Sequence, residues 1–427
     1  MNDSGPPEPM QTEHGKNRGI CNAEEMKINY RWKWGITLFT LILFTLLGVL
    51  MSVGNESGKK PEASRLDRMS QSEQWLANKK RFTNKLTRID GSLSEMAYRY
   101  FFDGSKHREP KKAQIPTVDP AETWKTAPES GLRITWLGHS TFLVEIDGVR
   151  TLVDPVWSER ASPFSWAGPK RFYAPLTSID SVLPLDAVVI SHDHYDHLDR
   201  ESVLALSKHK LRWIVPLGVG AHLEHWGISA ERITELDWWE DTLVGDVRLT
   251  ATPARHFSGR SVFFADQNAT LWAGWAWNGP KHSVFYSGDT AMHPEFAEIG
   301  ERLGPFDITL MENGAYNTLW ADVHMGPEQA VLAHQLVRGK VMLPVHWGLF
   351  DLALHGWTEP AERVVAAAKR LEVTLGILRP GASYDLAHAP NVDRWWPEIP
   401  WDSGEDAPVW SSSVESLLSP FRDEEER

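Results

Sequence analysis

The chain of 427 residues contains one cysteine, Cys21. An intramolecular disulfide is therefore impossible, and no metal site can be assembled from several thiolates. Any metal must rest on histidine and carboxylate. Basic charge is also scarce: 44 Lys and Arg stand against 57 Asp and Glu, for a net charge of −13. That balance argues against a broadly basic face that tracks phosphates, and no nucleic-acid partner is expected. No short internal repeat is present. The sequence carries no signal for an oligomeric state.

The remaining composition is 42% hydrophobic and 24% charged, so a large core can form without disulfides. The length suits one large domain with appendages. Tryptophan is abundant, at 21 residues. Trp favours both lipid interfaces and cores, so the count is modest support for an apolar substrate.

One apolar run stands out. Residues 34–53 hold 20 residues without a charge, long enough to cross the hydrocarbon core as a helix. Trp32 and Trp34 sit at one end, as interfacial anchors do. The preceding arm is long and no Ala-x-Ala site follows, which favours an uncleaved anchor over a signal peptide. Lys27, Arg31 and Lys33 before the span are balanced by Lys59, Lys60, Arg65 and Arg68 after it, so the side of the membrane that holds the following domain is weakly signalled. The slight preference is a cytoplasmic N-terminus. Residues 59–112 carry 14 Lys and Arg against 7 Asp and Glu. Such a stretch suits anionic lipid head groups or a solvated helical linker.

The expected organisation is a disordered arm at 1–33, a transmembrane helix at 34–53, a basic helical neck at 54–115, a layered domain at 116–401 and a loose acidic tail at 402–427. Within the domain, short strand runs lie at 132–137, 141–146 and 150–154, with Asp147-Gly148 as a hairpin turn. Further strand runs lie at 187–191, 212–215, 247–252, 283–287, 307–311 and 341–345. Helical patterns occupy 199–209, 295–303, 327–338 and 359–370. Strands first, then strands alternating with helices, predict an α/β layered fold.

The central motif is Ser191-His192-Asp193-His194-Tyr195-Asp196-His197-Leu198-Asp199, directly after the buried run 187–190. Three His and two Asp within six residues make a poor core and a good metal site. His192 and His194 converge on one ion if the loop turns, and Asp196 and His197 point to a second position. One loop cannot complete two tetrahedral sites. His256, Asp289 and His346 each follow a strand at its C-terminal end, where ligands gather in layered α/β folds. Their repeated placement makes them the remaining candidate metal ligands.

His192-x-His194-x-Asp196-His197 followed by His256, Asp289 and His346 resembles the metallo-β-lactamase superfamily. Within it, the chain is similar to the N-acylphosphatidylethanolamine-hydrolysing phospholipase D family. The segments carrying that similarity are Trp136-Leu-Gly-His139-Ser-Thr141, Asp154-Pro155, Thr270-Leu-Trp-Ala-Gly-Trp275, Gly279-Pro280, Ser287-Gly-Asp-Thr290, Glu298-Ile-Gly300, Gly304-Pro-Phe-Asp307, Gly314-Ala-Tyr316 and Val345-His-Trp-Gly348. The resemblance covers about residues 130–390 and excludes the first 110. It implies an αββα sandwich with metals at one edge. It implies that His192, His194 and His256 hold one zinc, that Asp196, His197 and His346 hold the second, and that Asp289 bridges them. The bridging Asp289 disfavours antibiotic hydrolysis and fits phosphodiesterases, thioesterases and lactonases. Iron or manganese remain compatible with His/Asp ligation.

The chemistry implied is attack by a hydroxide shared between the two ions, whose water pKa falls from about 15.7 to near 7. Asp289 and Asp196 carry the catalytic centre. His324 is expected to protonate the leaving group or hold a phosphate oxygen, the alternative being a surface histidine before a helix. Asp193 or Asp199 is expected to orient imidazoles, with helix capping the other reading of Asp199. His139 reads as a structural turn residue or as a support for the ligands. Tyr316 and Trp347 line the pocket or pack in the core. Two departures from the family bear on the substrate. Asn317-Thr-Leu-Trp-Ala321 replaces a lipid-facing region, and Met311-Glu312-Asn313 places a carboxylate and an amide where apolar residues are expected. The spanning helix is a third departure, since the animal enzymes bind membranes peripherally. The leading expectation is a membrane-anchored phosphodiesterase of phospholipase D type acting on N-acylphosphatidylethanolamine-like lipids. The alternative is a hydrolase of carboxylic esters, thioesters or lactones on the same fold.

Overall fold

The computed structural model describes residues 37–40, 53–62, 64–89, 91–110, 115–262 and 265–417, with Met1 and Gly5. The chain divides into two units, Met1–Val53 and Gly54–Arg427. In the first, residues 37–40 are helical. The expected arm at 1–33 and the span at 34–53 otherwise lie outside the described residues, save Met1, Gly5 and Val53. Among the described residues, no helix is long and apolar enough to cross a membrane.

The second unit begins with the expected neck. It holds helix α1 (Ser64–Met69), a small hairpin of β1 (Trp75–Leu76) and β2 (Arg81–Phe82), and helix α2 (Leu93–Phe102). The segment is less helical than expected, and it lies along the catalytic body. Its basic residues meet acids there. Arg65 pairs with Glu224 and Glu235, each at 2.7 Å, Arg68 pairs with Glu240, and Arg108 pairs with Asp351 at 2.8 Å. Part of the local positive charge is thus answered by the acidic body.

The body is built on two sheets. The first contains β3 (Leu132–Gly138), β4 (Thr141–Ile146), β5 (Val149–Val153), β6 (Ala187–Val189), β7 (Arg212–Pro216) and β8 (Ile233–Leu236). The second contains β9 (Asp241–Val244), β10 (Val247–Thr252), β11 (Gly274–Asn278), β12 (Ser283–Tyr286), β13 (Phe306–Glu312) and β14 (Gly339–Val345). The last strand, β15 (Ser383–Asp385), returns to the edge of the first sheet beside β3. Each sheet is antiparallel in its first half and parallel in its second, from β5 to β8 and from β12 to β14. Every residue of β3 and β4 is buried, as expected for strands covered on both faces. The β4–β5 hairpin turns through Asp147 and Gly148, at φ 47° and 87°, the left-handed pair that a tight hairpin turn requires.

Phe142 and Val144 of the first sheet share one core with Leu249, Trp275 and Phe285 of the second. Helices α3 (Arg200–Ser207) and α4 (Gly220–His225) cover the outer face of the first sheet through Val203, Leu206 and Leu223. Helices α5 (Glu295–Arg302), α6 (Pro327–Leu336) and α7 (Glu359–Arg370) belong to the second sheet's side, with Phe296, Ala330 and Val364 in the shared core. The result is an αββα sandwich. Among the described residues 12 tryptophans are buried, so most of that residue's abundance reflects packing and not lipid contact. Residues 402–417, expected to be loose, pack on the body: Val409 and Val414 are buried, and Ser412 Oγ donates to Asp322 at 2.6 Å.

Candidate metal centre

The carboxyl ends of the strands meet at one edge of the sandwich. Asp154 follows β5, the His192–His197 motif follows β6, His256 follows β10, Asp289 follows β12, Glu312 ends β13 and His346 follows β14. Three of the residues there adopt left-handed backbone: His139 (φ 52°), Asp154 (φ 40°) and His346 (φ 65°). Non-glycine residues in that region are strained, and such strain collects at functional sites. The seven residues singled out in the sequence as metal ligands all arrive at this edge.

They form two touching groups. In one, Nε2 of His192 lies 2.8 Å from Nδ1 of His194, which lies 3.2 Å from Nε2 of His256. The other gathers Asp196, His197 and His346, with His139 beside them. Asp289 lies between the groups. Its Oδ2 is 3.1 Å from Nε2 of His197 and 3.8 Å from Nε2 of both His192 and His256. Its Oδ1 is 3.0 Å from Nδ1 of His346, within ion-pair range but not aligned as a hydrogen bond.

The donor set fits metal ions on a further ground. Nε2 of His197, Nε2 of His346 and Oδ1 of Asp289 are buried without a hydrogen-bond partner. Leaving a buried polar atom unpaired costs about 1–3 kcal/mol, and three such atoms among the candidate ligands fit donors meant for a cation. Burial pushes the imidazoles of His192, His194 and His256 down, and that of His346 down to about 3, which keeps them in the neutral form that binds metal. His197 behaves oppositely. Burial opposes its charge, but the carboxylates of Asp289 and Asp196 outweigh burial and raise it well above the usual range.

The groups that aim the imidazoles are mostly ones the sequence did not flag. Oδ2 of Asp154 accepts from Nδ1 of His197 at 2.8 Å, from Ser191 Oγ at 2.6 Å and from Tyr286 OH at 2.9 Å. Ser191 Oγ also lies 3.0 Å from Nδ1 of His192, and Ser140 Oγ lies 3.0 Å from Nδ1 of His346. Nδ1 of His256 donates to the carbonyl of Val323 at 2.8 Å. Asp154 was visible only as a family match, although it follows a strand as the ligands do.

Asp193 and Asp199 do not orient the ligands. Asp199 caps α3 by accepting from Ser202 N, and it also holds Trp157 N and Ser158. Asp193 is buried, and its carboxylate is taken up by Thr270, Gly259 N and His222. His139 does support a ligand: its Nε2 is 2.9 Å from Asp196 Oδ2. Trp347 stacks between Trp136 and Trp395, and Tyr316 donates to Glu359, so both pack in the interior. His324 is at the site, its ring 4.9 Å from His256 and 5.3 Å from His346. Beside His194, whose ring is 4.4 Å from Phe257, opens an apolar cavity of about 490 Å³ lined by Phe164, Tyr195, Phe257, Arg260 and Val262.

An αββα sandwich with a buried His/Asp cluster at the carboxyl ends of its strands defines a metal-dependent hydrolase. Residues 149–347 match the β-lactamase superfamily domain. An uncharacterised protein of Mycobacterium tuberculosis is 49% identical over 288 residues, covering 66% of this chain and 76% of that one. The N-acyl-phosphatidylethanolamine-hydrolyzing phospholipase D 1 of Caenorhabditis elegans is 39% identical over 249 residues, covering 55% of this chain and 69% of that one. A UPF0173 metal-dependent hydrolase of Methanopyrus kandleri is 31% identical over 261 residues, covering 60% of this chain and all of that one. The chain belongs to the metallo-β-lactamase superfamily.

Proposed function

We propose that the protein is a dinuclear zinc phosphodiesterase of phospholipase D type that acts on N-acylphosphatidylethanolamine-like lipids at a membrane. The observation that carries this reading is the place of Asp289, within 3.8 Å of His192 and His256 on one side and 3.1 Å of His197 on the other. His192, His194 and His256 would hold one ion, Asp196, His197 and His346 the other, and Asp289 both. Such a pair of ions supplies activated water at neutral pH and screens charge on phosphoryl oxygens. Iron or manganese would fit the same donors.

The chain's own residues set the rest. The water oxygen forms a bond to phosphorus, and the bond from phosphorus to the ethanolamine oxygen breaks. His324 donates a proton to that oxygen, releasing N-acylethanolamine and leaving phosphatidic acid. Asp154, Ser191 and His139 keep the donors aimed. The apolar cavity beside His194 would take part of an acyl chain, and Trp166, 69% exposed near its rim, suits a lipid surface. The uncharged run at 34–53 would tether the enzyme to the bilayer.

The test is turnover by purified, zinc-loaded protein in detergent. The substrates are N-acylphosphatidylethanolamine and bis(p-nitrophenyl) phosphate beside thioester and lactone substrates, with Asp289→Asn as control. Release of N-acylethanolamine, lost at least about 100-fold in the control, is expected. Turnover of only thioesters or lactones would keep the metal site and remove the phospholipase reading.

A further inference from the structure

Glu312 is a carboxylate with no exposed surface, at the end of β13, where the sequence led us to expect an apolar side chain. A buried carboxylate is costly unless its oxygens are served. Both are. Oε2 accepts the backbone N–H of Thr290, the residue after Asp289, and Oε1 meets Nδ1 of His324. The backbone of Glu312 is also pinned, its N–H donating to Ser287 Oγ at 2.9 Å.

The segment carrying His324 is fixed on both sides. The carbonyl of Val323 accepts from Nδ1 of His256 at 2.8 Å, and Met325 N donates to the carbonyl of Thr290 at 3.1 Å. Those bonds set the main chain, not the ring. Rotation of the imidazole is the freedom that remains, and Glu312 removes it. With Nδ1 as the donor to Oε1, Nε2 is the nitrogen left for the cleft, on a side chain that is 14% exposed.

We propose that Glu312 is a positioning residue that locks the His324 ring to the Asp289 turn, so that Nε2 of His324 faces the reacting phosphoryl group. This rests on the role given to His324 in the phosphodiesterase reading, and deepens it. The pair also explains why a carboxylate is needed: two donors approach from different segments, and only a carboxylate accepts from both. A glutamine has one acceptor oxygen. It must turn its NH₂ either to the Thr290 N–H, where two donors clash, or to Nδ1 of His324, which changes the ring's partner.

The variant is Glu312→Gln, nearly the same in volume, compared with His324→Ala and the double variant on bis(p-nitrophenyl) phosphate. For Glu312→Gln we expect kcat lower by about 10–100-fold, as for other carboxylates that orient a histidine. KM should stay within about threefold, with unchanged metal content and Tm. The double variant should be no slower than His324→Ala alone, because residues acting as a unit are not additive. Histidine-labelled ¹⁵N spectra of the zinc-loaded protein give a readout that needs no substrate. The resonances absent from His324→Ala should shift in Glu312→Gln while the others hold. A full kcat in Glu312→Gln, losses that multiply in the double variant, or an unmoved His324 resonance would each overturn the proposal. Failure of phosphodiester turnover in the native protein would instead remove the phospholipase reading, with the spectra still deciding the pair.

Discussion

Asp154 shows how much of the centre depends on one side chain that binds no metal itself. It is wholly buried, in left-handed backbone, and serves Ser191 N at 2.7 Å as well as Ser191 Oγ, His197 and Tyr286. An amide cannot accept from all four. Asp154→Asn should therefore weaken metal binding by about 10–100-fold, read by competition with a chelator of known affinity. An unchanged affinity would mean that His197 is aimed by something else. The candidate ligands were legible in the sequence because His and Asp packed this densely have few other uses. Their supports were not, because Ser140, Ser191 and the carbonyl of Val323 are ordinary residues and atoms whose role exists only once strands are side by side. Asp199 was legible in one of its two readings: an Asp three residues before Ser202 at a helix start is a cap signature, and capping is what it does.

At the scale of elements, the buried runs were read within a residue or two, from the hairpin of β4 and β5 to the parallel strands β12, β13 and β14. The strands missed were β1 and β2 in the neck and β8, β9, β11 and β15 in the body. The edge pieces β9 and β15 are short and half polar, and β11 is rich in Trp and Ala, so none shows a clear alternation. The contact of α6 with β13 has a measurable consequence. His334 on α6 is 2% exposed, its Nδ1 2.7 Å from Thr309 Oγ1, and burial lowers its pKa to about 4. The unfolded chain takes up a proton near pH 6.5 that the folded chain refuses until about pH 4. Stability is thus lost as pH falls through that window, by an amount on the order of 3 kcal/mol. Denaturation at several pH values should show a shallower acid loss for His334→Gln than for the native protein. Parallel curves would contradict the assignment.

For the whole molecule, the two half-parallel sheets explain why one edge holds all the chemistry: parallel strands end together, and β5, β6, β10, β12, β13 and β14 bring their carboxyl ends to one place. The layered architecture was legible from the order of strand and helix patterns. The packing of the neck and of residues 402–417 was not. Their composition reads as solvated, and it is the body that makes those segments part of the fold, through acids such as Glu235 and Asp322 and through burial of Met69, Phe82, Val409 and Val414. The measurement that bears most directly on the account is the metal content of the purified, dialysed protein, by elemental analysis, beside Asp289→Ala. The account predicts about two ions per chain, since two-metal sites of this kind share one carboxylate, and a loss of at least one in the variant. One ion or none in the native protein, or two retained without Asp289, would contradict it.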